Sequence, residues 1–396
     1  MLTIGVEQRR IRLMRRHALH PSAQRSTVAD AVAAVVGLHA TDPASVYLST
    51  LARSAATLAD VSEAMYESRS VVKMLGMRRT MFVVPTEFAP VVHAGAGVEV
   101  ARRLRARLIK ELRTLPTEPA IDGDPEVWLA AVEDGTEQAL IELGEALAND
   151  VVKAEPRLRT ALLPTTDKKW DVKQNITSRV LTLMGADGRL VRGRPAGTWL
   201  SRQHRWASAR ALWPDGMPAM PEDSARETLA RRWLEVFGPA TVDDLKWWTG
   251  WSLGATRKVL AGIGIVEVDL DGTPGVVLSD DTEPEPDVEP AAALLPALDP
   301  TPMGWQQRDW FLGSHRAELF DRNGNIGPTV WWDGRIVGGW AVRDGDIVWE
   351  LLDDVGADAR AAIERAAAEL QPRLESAAPV PSFRTPLERR LNDHVH

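Results

Sequence analysis

The chain has 396 residues, with 47 Lys and Arg against 55 Asp and Glu, a net charge of −8, and 44% hydrophobic residues. That length allows two to four domains at roughly 100–200 residues each, and the composition is that of a globular protein rather than a disordered one. Cysteine is absent, which excludes disulfides, thiolate zinc sites, iron–sulfur clusters and a cysteine nucleophile, and suits the cytoplasm.

The N-terminus lacks the apolar run of a signal peptide, and no stretch approaches the ~20 apolar residues of a membrane span. Charge is uneven. Residues 1–213 hold 30 Lys and Arg against 23 Asp and Glu, a balance of +7; residues 214–396 hold 17 against 32, a balance of −15. Two readings fit: a face for a polyanion, which responds only to the local field, or a helical protein with unevenly solvated faces.

In chain order, Ser26 is the expected N-cap of a helix carrying Val28, Val32, Val35 and Val36, stopped by Gly37. After Leu38-His39-Ala40-Thr41, Asp42-Pro43 opens a second helix, with Asp as N-cap and Pro at the first helical position. A helical stretch at 57–65, the segment 68–76 and a strand-like Arg78–Pro85 follow. Helix, turn, helix and β segment is the order of a winged helix-turn-helix. Residues 86–163 read as mainly helical. There the basic run Arg102, Arg103, Arg105, Arg107, Lys110 and Arg113 alternates with leucines, which fits a solvated amphipathic helix or a phosphate contact.

The pattern returns twice. Residues 174–186 read as a helix, followed by an Asp187-Gly188 turn and a basic hairpin within 189–200. Residues 241–262 read as a capped helix, a Gly turn and a second helix, and 265–278 as a hairpin. The acidic, Pro-rich run 280–290 reads as an extended linker. Beyond it, 327–351 gives short strands with Asp-Gly turns at 333–334 and 344–345, and implies a small antiparallel sheet or barrel. A helix over 356–371 and a frayed tail at 379–396 close the chain. Trp makes up 15 of the 23 aromatics; Trp247, Trp248, Trp331, Trp340 and Trp349 fall on faces that core packing would bury.

The expected fold class is α+β and mainly helical, with three tandem winged helix-turn-helix motifs and a small C-terminal antiparallel β-barrel. The expected division is 1–90 with the motif loop, 91–165 as a helical connector, 166–235 and 236–280 as further winged helices, 281–378 as the barrel-like domain, and 379–396 as tail.

No Walker loop, dinucleotide fingerprint, H-E-x-x-H or G-x-S-x-G is present. The eight histidines are scattered, and the i, i+3 pair His17 and His20 has no carboxylates beside it, so neither metal nor cofactor is expected. His39-Ala40-Thr41 stands out. In an extended segment His39 and Thr41 share a side, where they can hold a water whose proton the imidazole accepts. The other reading is a connector whose side chains cap neighbouring helices.

The string G-L-H-A-T-D-P-A-S-V-Y-L (37–48) resembles the AlkZ-like winged-helix DNA glycosylases, which carry Q-x-Q or Q-x-D in the place of His39-x-Thr41. Blocks 77–85, 188–199, 237–250, 297–313 and 319–340 resemble the same family in the same order. The likeness implies tandem winged helices around a DNA channel with a small β-barrel. It also implies monofunctional excision of alkylated purines, including bulky N7-guanine adducts of genotoxic natural products and in some members interstrand crosslinks, in base excision repair and self-resistance. The Ala- and Arg-rich composition resembles a high-GC actinobacterial gene. In this reading His39 activates water, Thr41 assists and Asp42 is a possible support. The expected DNA contacts are Arg78, Arg79, Lys173, Arg179, Arg192, Arg194, Arg202 and Arg205. Trp332 and Arg335 join them at a hairpin tip that reads equally as a plain type I′ turn. The partner is double-stranded DNA carrying alkylated purines, bound by a monomer; whether the base is flipped is open. A non-catalytic DNA-binding regulator and a toxin-sequestering resistance protein are the alternatives.

Overall fold

The computed structural model describes residues 2–166, 169 and 172–393. It divides into two compact units: unit 1 is Met1–Val71, Phe82–Thr86 and Arg226–His396, and unit 2 is Val72–Met81 and Glu87–Ala225. No helix among the described residues is long and apolar enough to cross a membrane.

Strand β1 (Leu2–Thr3) leads into α1 (Val6–Arg16). Helix α2 (Val28–Ala33) is capped by Thr27, not Ser26: Thr27 Oγ1 accepts the Asp30 amide, and Asp30 sits at the third helical position where a cap partner is needed. The helix ends before Gly37, at a tight turn in which the Gly37 amide donates to Val35 O at 2.6 Å. Strand β2 (Leu38–His39), α3 (Pro43–Leu51) and α4 (Leu58–Tyr66) follow, α4 opened by a complete Thr57/Asp60 capping box. The segment 68–76 forms strand β3 (Val71–Leu75), and β4 (Met81–Pro85) returns. Strands β2 and β4 are antiparallel, with Leu38 opposite Val83 and His39 opposite Phe82.

Unit 2 is mostly helical. Helix α5 (Ala89–Val92) and a π turn (His93–Gly97) precede α6 (Val98–Thr114), β5 (Thr117–Glu118), α7 (Pro125–Leu143) and α8 (Ala148–Ala154). Strands β6 (Ala161–Leu162) and β7 (Gln174–Asn175) form a three-stranded antiparallel sheet with β5. Helix α9 (Thr177–Ala186) then leads to β8 (Leu190–Pro195) and β9 (His204–Ser208). The hairpin is therefore longer than the expected 189–200. The register shifts between Arg192 and Pro195, Pro195 still pairs with His204, and Gly197 takes φ +99° in the loop beyond. Leucines of α6 and α9 pack with Leu129, Leu140 and Leu158 in one core. The outward arginines of α6 are neutralised: Arg102 and Arg103 by Glu99, Arg107 by Glu111, Arg113 by Glu126, and Arg105 by Glu133 and Asp187. That is the solvated-helix reading.

Residues 209–225, up to the first turn of α10, still belong to unit 2, and the chain from Arg226 on belongs to unit 1. Helices α10 (Glu222–Phe237), α11 (Val242–Thr249) and α12 (Leu253–Gly262) precede the hairpin β10 (Ile265–Leu270) and β11 (Thr273–Leu278). Gly250 ends α11 in the left-handed conformation, as the sequence requires. Strand β12 (Ala292–Leu295), the short helices α13 (Asp309–Leu312) and α14 (Arg316–Leu319), β13 (Thr329–Trp332), β14 (Arg335–Arg343), β15 (Asp346–Leu351), α15 (Gly356–Leu370) and α16 (Pro386–Asn392) complete it. The expected barrel is an open sheet, β12-β13-β14-β15, with β12 and β15 as edges. Four strands are too few to close, and helices cover the sheet instead: α15 lies against β12 and β13, α16 against β14 and β15.

Two further expectations change. The tail is not frayed, because α16 buries Leu387 and Leu391; its last three residues, 394–396, lie outside the described residues. The acidic run 280–290 lacks regular structure but is pinned: Asp281 binds Arg12 and Arg16, and Glu285 binds Arg15 and Arg16. Trp248, Trp331 and Trp340 are core residues, whereas Trp247 and Trp349 are half-buried.

Candidate active site

The His39 loop is held from both sides in unit 1. Upstream, Val36 adopts φ +63°, a conformation that a β-branched residue enters only under strain. Gly37 follows because nothing larger fits: a Cβ there would lie 2.8 Å from Val84 Cγ1 and 3.1 Å from Val83 O. This close approach lets β2 pair with β4 and sets His39 opposite Phe82, with ring centroids 5.5 Å apart. His39 is half-buried, Ala40 buried and Thr41 exposed. The segment is extended at His39, as expected, and reaches the N-cap of α3 three residues later.

Asp42 occupies that N-cap position but its carboxylate makes no capping bond. Buried, it accepts from Ser45 Oγ at 3.4 Å and from Ser382 Oγ at 2.7 Å. The expected cap is thus replaced by a tie to the segment before α16, a contact between positions 340 residues apart.

Helix α3 is buried along its whole length and clamped to residues 297–301. Ser45 Oγ donates to Ala297 O, Ser49 Oγ to Asp299, and the Arg53 guanidinium makes two bonds to Asp299 at 2.8 and 2.7 Å with neither partner exposed. Arg53 also donates to Thr301 Oγ1, which bonds His17 Nδ1, leaving His17 Nε2 to donate to Val236 O. Burial, then the Arg53 charge, pushes His17 down to about 3, so it stays neutral; Arg53 and its companions hold Asp299 below the usual carboxylate range despite burial. Sequence reading missed this cluster. Its signal was the block A-L-D-P-T (297–301), whose role depends on a partner some 250 residues away.

The expected DNA-contact residues of unit 2 fall into distinct environments. Arg78 and Arg79 form the β3–β4 tip with φ +53° and +61°; Arg79 is exposed, and burial lowers the pKa of Arg78. Lys173 pairs with Glu118, and Arg179 with Glu111 and Gln174, so their charge is spent internally. Arg192 lies 3.5 Å over the Trp206 ring and is lowered to about 10 by burial. The Arg194 amide donates to Glu145, Arg205 donates to Pro195 O, and Arg202 is exposed. In unit 1, Trp332 and Arg335 flank an Asp333-Gly334 turn with φ +48° and +71°, as a type I′ hairpin needs. The tip does not project freely. A Cβ on Gly334 would meet Arg10 Cβ at 2.6 Å, so it rests on α1.

Among the described residues no group of three or more His, Cys, Asp and Glu is arranged to hold a metal.

A family described as "DNA glycosylase AlkZ-like" matches residues 32–372. The interstrand DNA cross-link repair glycosylase of Streptomyces sahachiroi is 31% identical over 163 residues, 38% of this chain and 43% of that protein, so the match spans less than half the relative. The solved structure of the Streptomyces sahachiroi DNA glycosylase AlkZ shares the fold, with a TM-score of 0.70 over 96% of this chain and 99% of that one at 21% identity. The match over residues 32–372 covers the His39 loop, α3 and the sheet, and the chain belongs to the AlkZ-like DNA glycosylase family.

Proposed function

We propose that this protein is a monofunctional glycosylase that hydrolyses the N-glycosidic bond of alkylated purines in duplex DNA, with bulky N7-guanine adducts as preferred substrates. The observation that carries the reading is the His39 loop: a strained turn at Val36, a close approach at Gly37 and pairing with Phe82 hold a half-buried imidazole two residues before the exposed Thr41.

An N7-alkylated purine is a cationic leaving group, so its bond is already labile. The protein has to place a water at C1′ and stabilise positive charge on the sugar. His39 as the neutral imidazole accepts the water's proton, and Thr41 orients that water. Asp42 is engaged by Ser45 and Ser382 and, in this reading, holds the loop rather than facing the sugar. The family's Gln residues cannot take a proton, whereas an imidazole can. Helices α3 and α4 with β3–β4, α9 with β8–β9, and α11 and α12 with β10–β11 each have the order of a winged helix, and we read them as the DNA-binding scaffold. A lesion too bulky for a tight pocket would stay in the groove rather than flip.

The test is base release from a labelled duplex carrying methyl or bulky N7-guanine adducts, read as alkali-labile sites under single-turnover conditions. His39→Ala is expected to lower the rate by at least about 100-fold, the typical worth of a general base, and Thr41→Ala by less. Unchanged excision in His39→Ala removes the assignment. No excision of any adduct by the intact protein, with DNA binding kept, supports the regulator.

A further inference from the structure

Unit 2 carries an open groove of about 980 Å³ between α8, α9 and the β8–β9 hairpin. Its wall includes Lys153, Arg159, Lys173, Arg192, His204 and Trp206, and no carboxylate. In a chain with more acids than bases, an acid-free wall of this size is a local field of one sign.

Two of these side chains, Arg192 and His204, are fixed in the wall by neighbours. The Arg192 guanidinium stacks on Trp206, and its Nε has no hydrogen-bond partner among the described residues. The Lys73 ammonium donates to His204 Nε2 at 3.4 Å, which puts the ring proton on Nδ1, and Nδ1 likewise has no partner among the described residues. Burial, then Lys73 and Arg192, push His204 down to about 3, so it stays a neutral donor. Arg159 is exposed at the end of the turn Pro156–Arg159 with no ion pair among the described residues. Lys153 and Lys173 are partly neutralised by Asp150 and Glu118. The α6 arginines are all paired to acids, so most of the basic run that drew notice in the sequence is neutralised.

We propose that this groove binds the sugar–phosphate backbone of a DNA strand, with Arg159 and Arg192 as the phosphate contacts. The cations stand on separate elements around the groove, Lys153 on α8, Arg159 at the end of the turn Pro156–Arg159 and Arg192 on β8, which suits successive phosphates along a strand. The proposal rests on the DNA-acting reading above and assigns its grip to particular residues.

The test is fluorescence anisotropy of the full chain with a labelled, undamaged duplex across a salt series. Arg159→Ala combined with Arg192→Gln should raise Kd about tenfold and reduce the slope of log K against log salt by about two, at roughly 0.9 per phosphate contact. Because Arg192 packs on Trp206, Arg159→Ala alone is the second variant: it should lower the slope by about one with an unchanged thermal melt. Arg103→Ala, in a solvated pair with Glu99, is the control that should change neither. Unchanged Kd and slope in both groove variants overturn the proposal. So does displacement of the duplex by inorganic phosphate well beyond chloride of equal ionic strength, which would assign the groove to a free anion. Base release by the unmodified chain is scored separately: groove-dependent affinity without base release removes the glycosylase reading alone, and base release with groove-independent affinity removes this one alone.

Discussion

His17 shows how far burial governs a single side chain. It lies within van der Waals reach of Phe237 and Trp305, with ring centroids 4.7 and 5.6 Å away, and is pushed down to about 3. The unfolded chain takes up this proton near pH 6.5 and the folded one does not, so the stabilisation is complete above that pH and is lost as pH falls toward 3. The loss per group is about 1.4 kcal/mol per pH unit. His204 and His93, also lowered, add in the same sense. Urea midpoints should therefore drop between pH 7 and pH 5, and His17→Gln should flatten that drop while costing stability at pH 7; an equal slope in both proteins would refute the assignment. At the other end of the loop, Gly37→Ala should leave the circular dichroism spectrum nearly intact yet slow base release, because its methyl would push β2 from Val84 and displace His39.

At the scale of elements, α3 depends on its clamp. An Arg–Asp pair with no exposure is strongly destabilising to break, since the survivor is left buried and uncompensated, at about 3–5 kcal/mol. Arg53→Met should lower the unfolding free energy by that amount in urea titrations, while the exposed pair Arg103–Glu99 should be worth well under that. Helix α16 makes a comparable point for the sheet. Leu387 is buried against Gly339, where its Cδ2 would lie 2.6 Å from an added Cβ. Leu387→Ala is expected to cost about 2–4 kcal/mol, which a truly frayed tail would not show.

Across the whole molecule, charge follows the two units. From the sequence, unit 2 holds 22 Lys and Arg against 20 Asp and Glu, and unit 1 holds 25 against 35, so +2 and −10 make up the total of −8. Part of the basic character of the first half is absorbed within unit 1, where Arg12, Arg15 and Arg16 bind the acidic run. Affinity for undamaged DNA should accordingly fall with salt while depending on few residues, with a slope far shallower than the raw count of arginines suggests.

What the sequence determined by itself was local. Capping boxes, Pro after an N-cap, Gly past a helix end and Asp-Gly between strands are satisfied by neighbours a few residues apart, which is why α4, α11, α12, the β10–β11 hairpin and the turns at 333–334 and 344–345 were legible. The extended backbone at His39 was legible for the same reason, as was the segment's resemblance to a family. Tertiary structure alone decided the rest. Whether a run of strands closes depends on how many pair, and here four form an open sheet that α15 and α16 cover. Whether Asp42 caps a helix or binds Ser382 is a competition between a contact at hand and one 340 residues away. Which arginines keep a free charge depends on acids brought beside them by folding, and composition counts those acids without placing them.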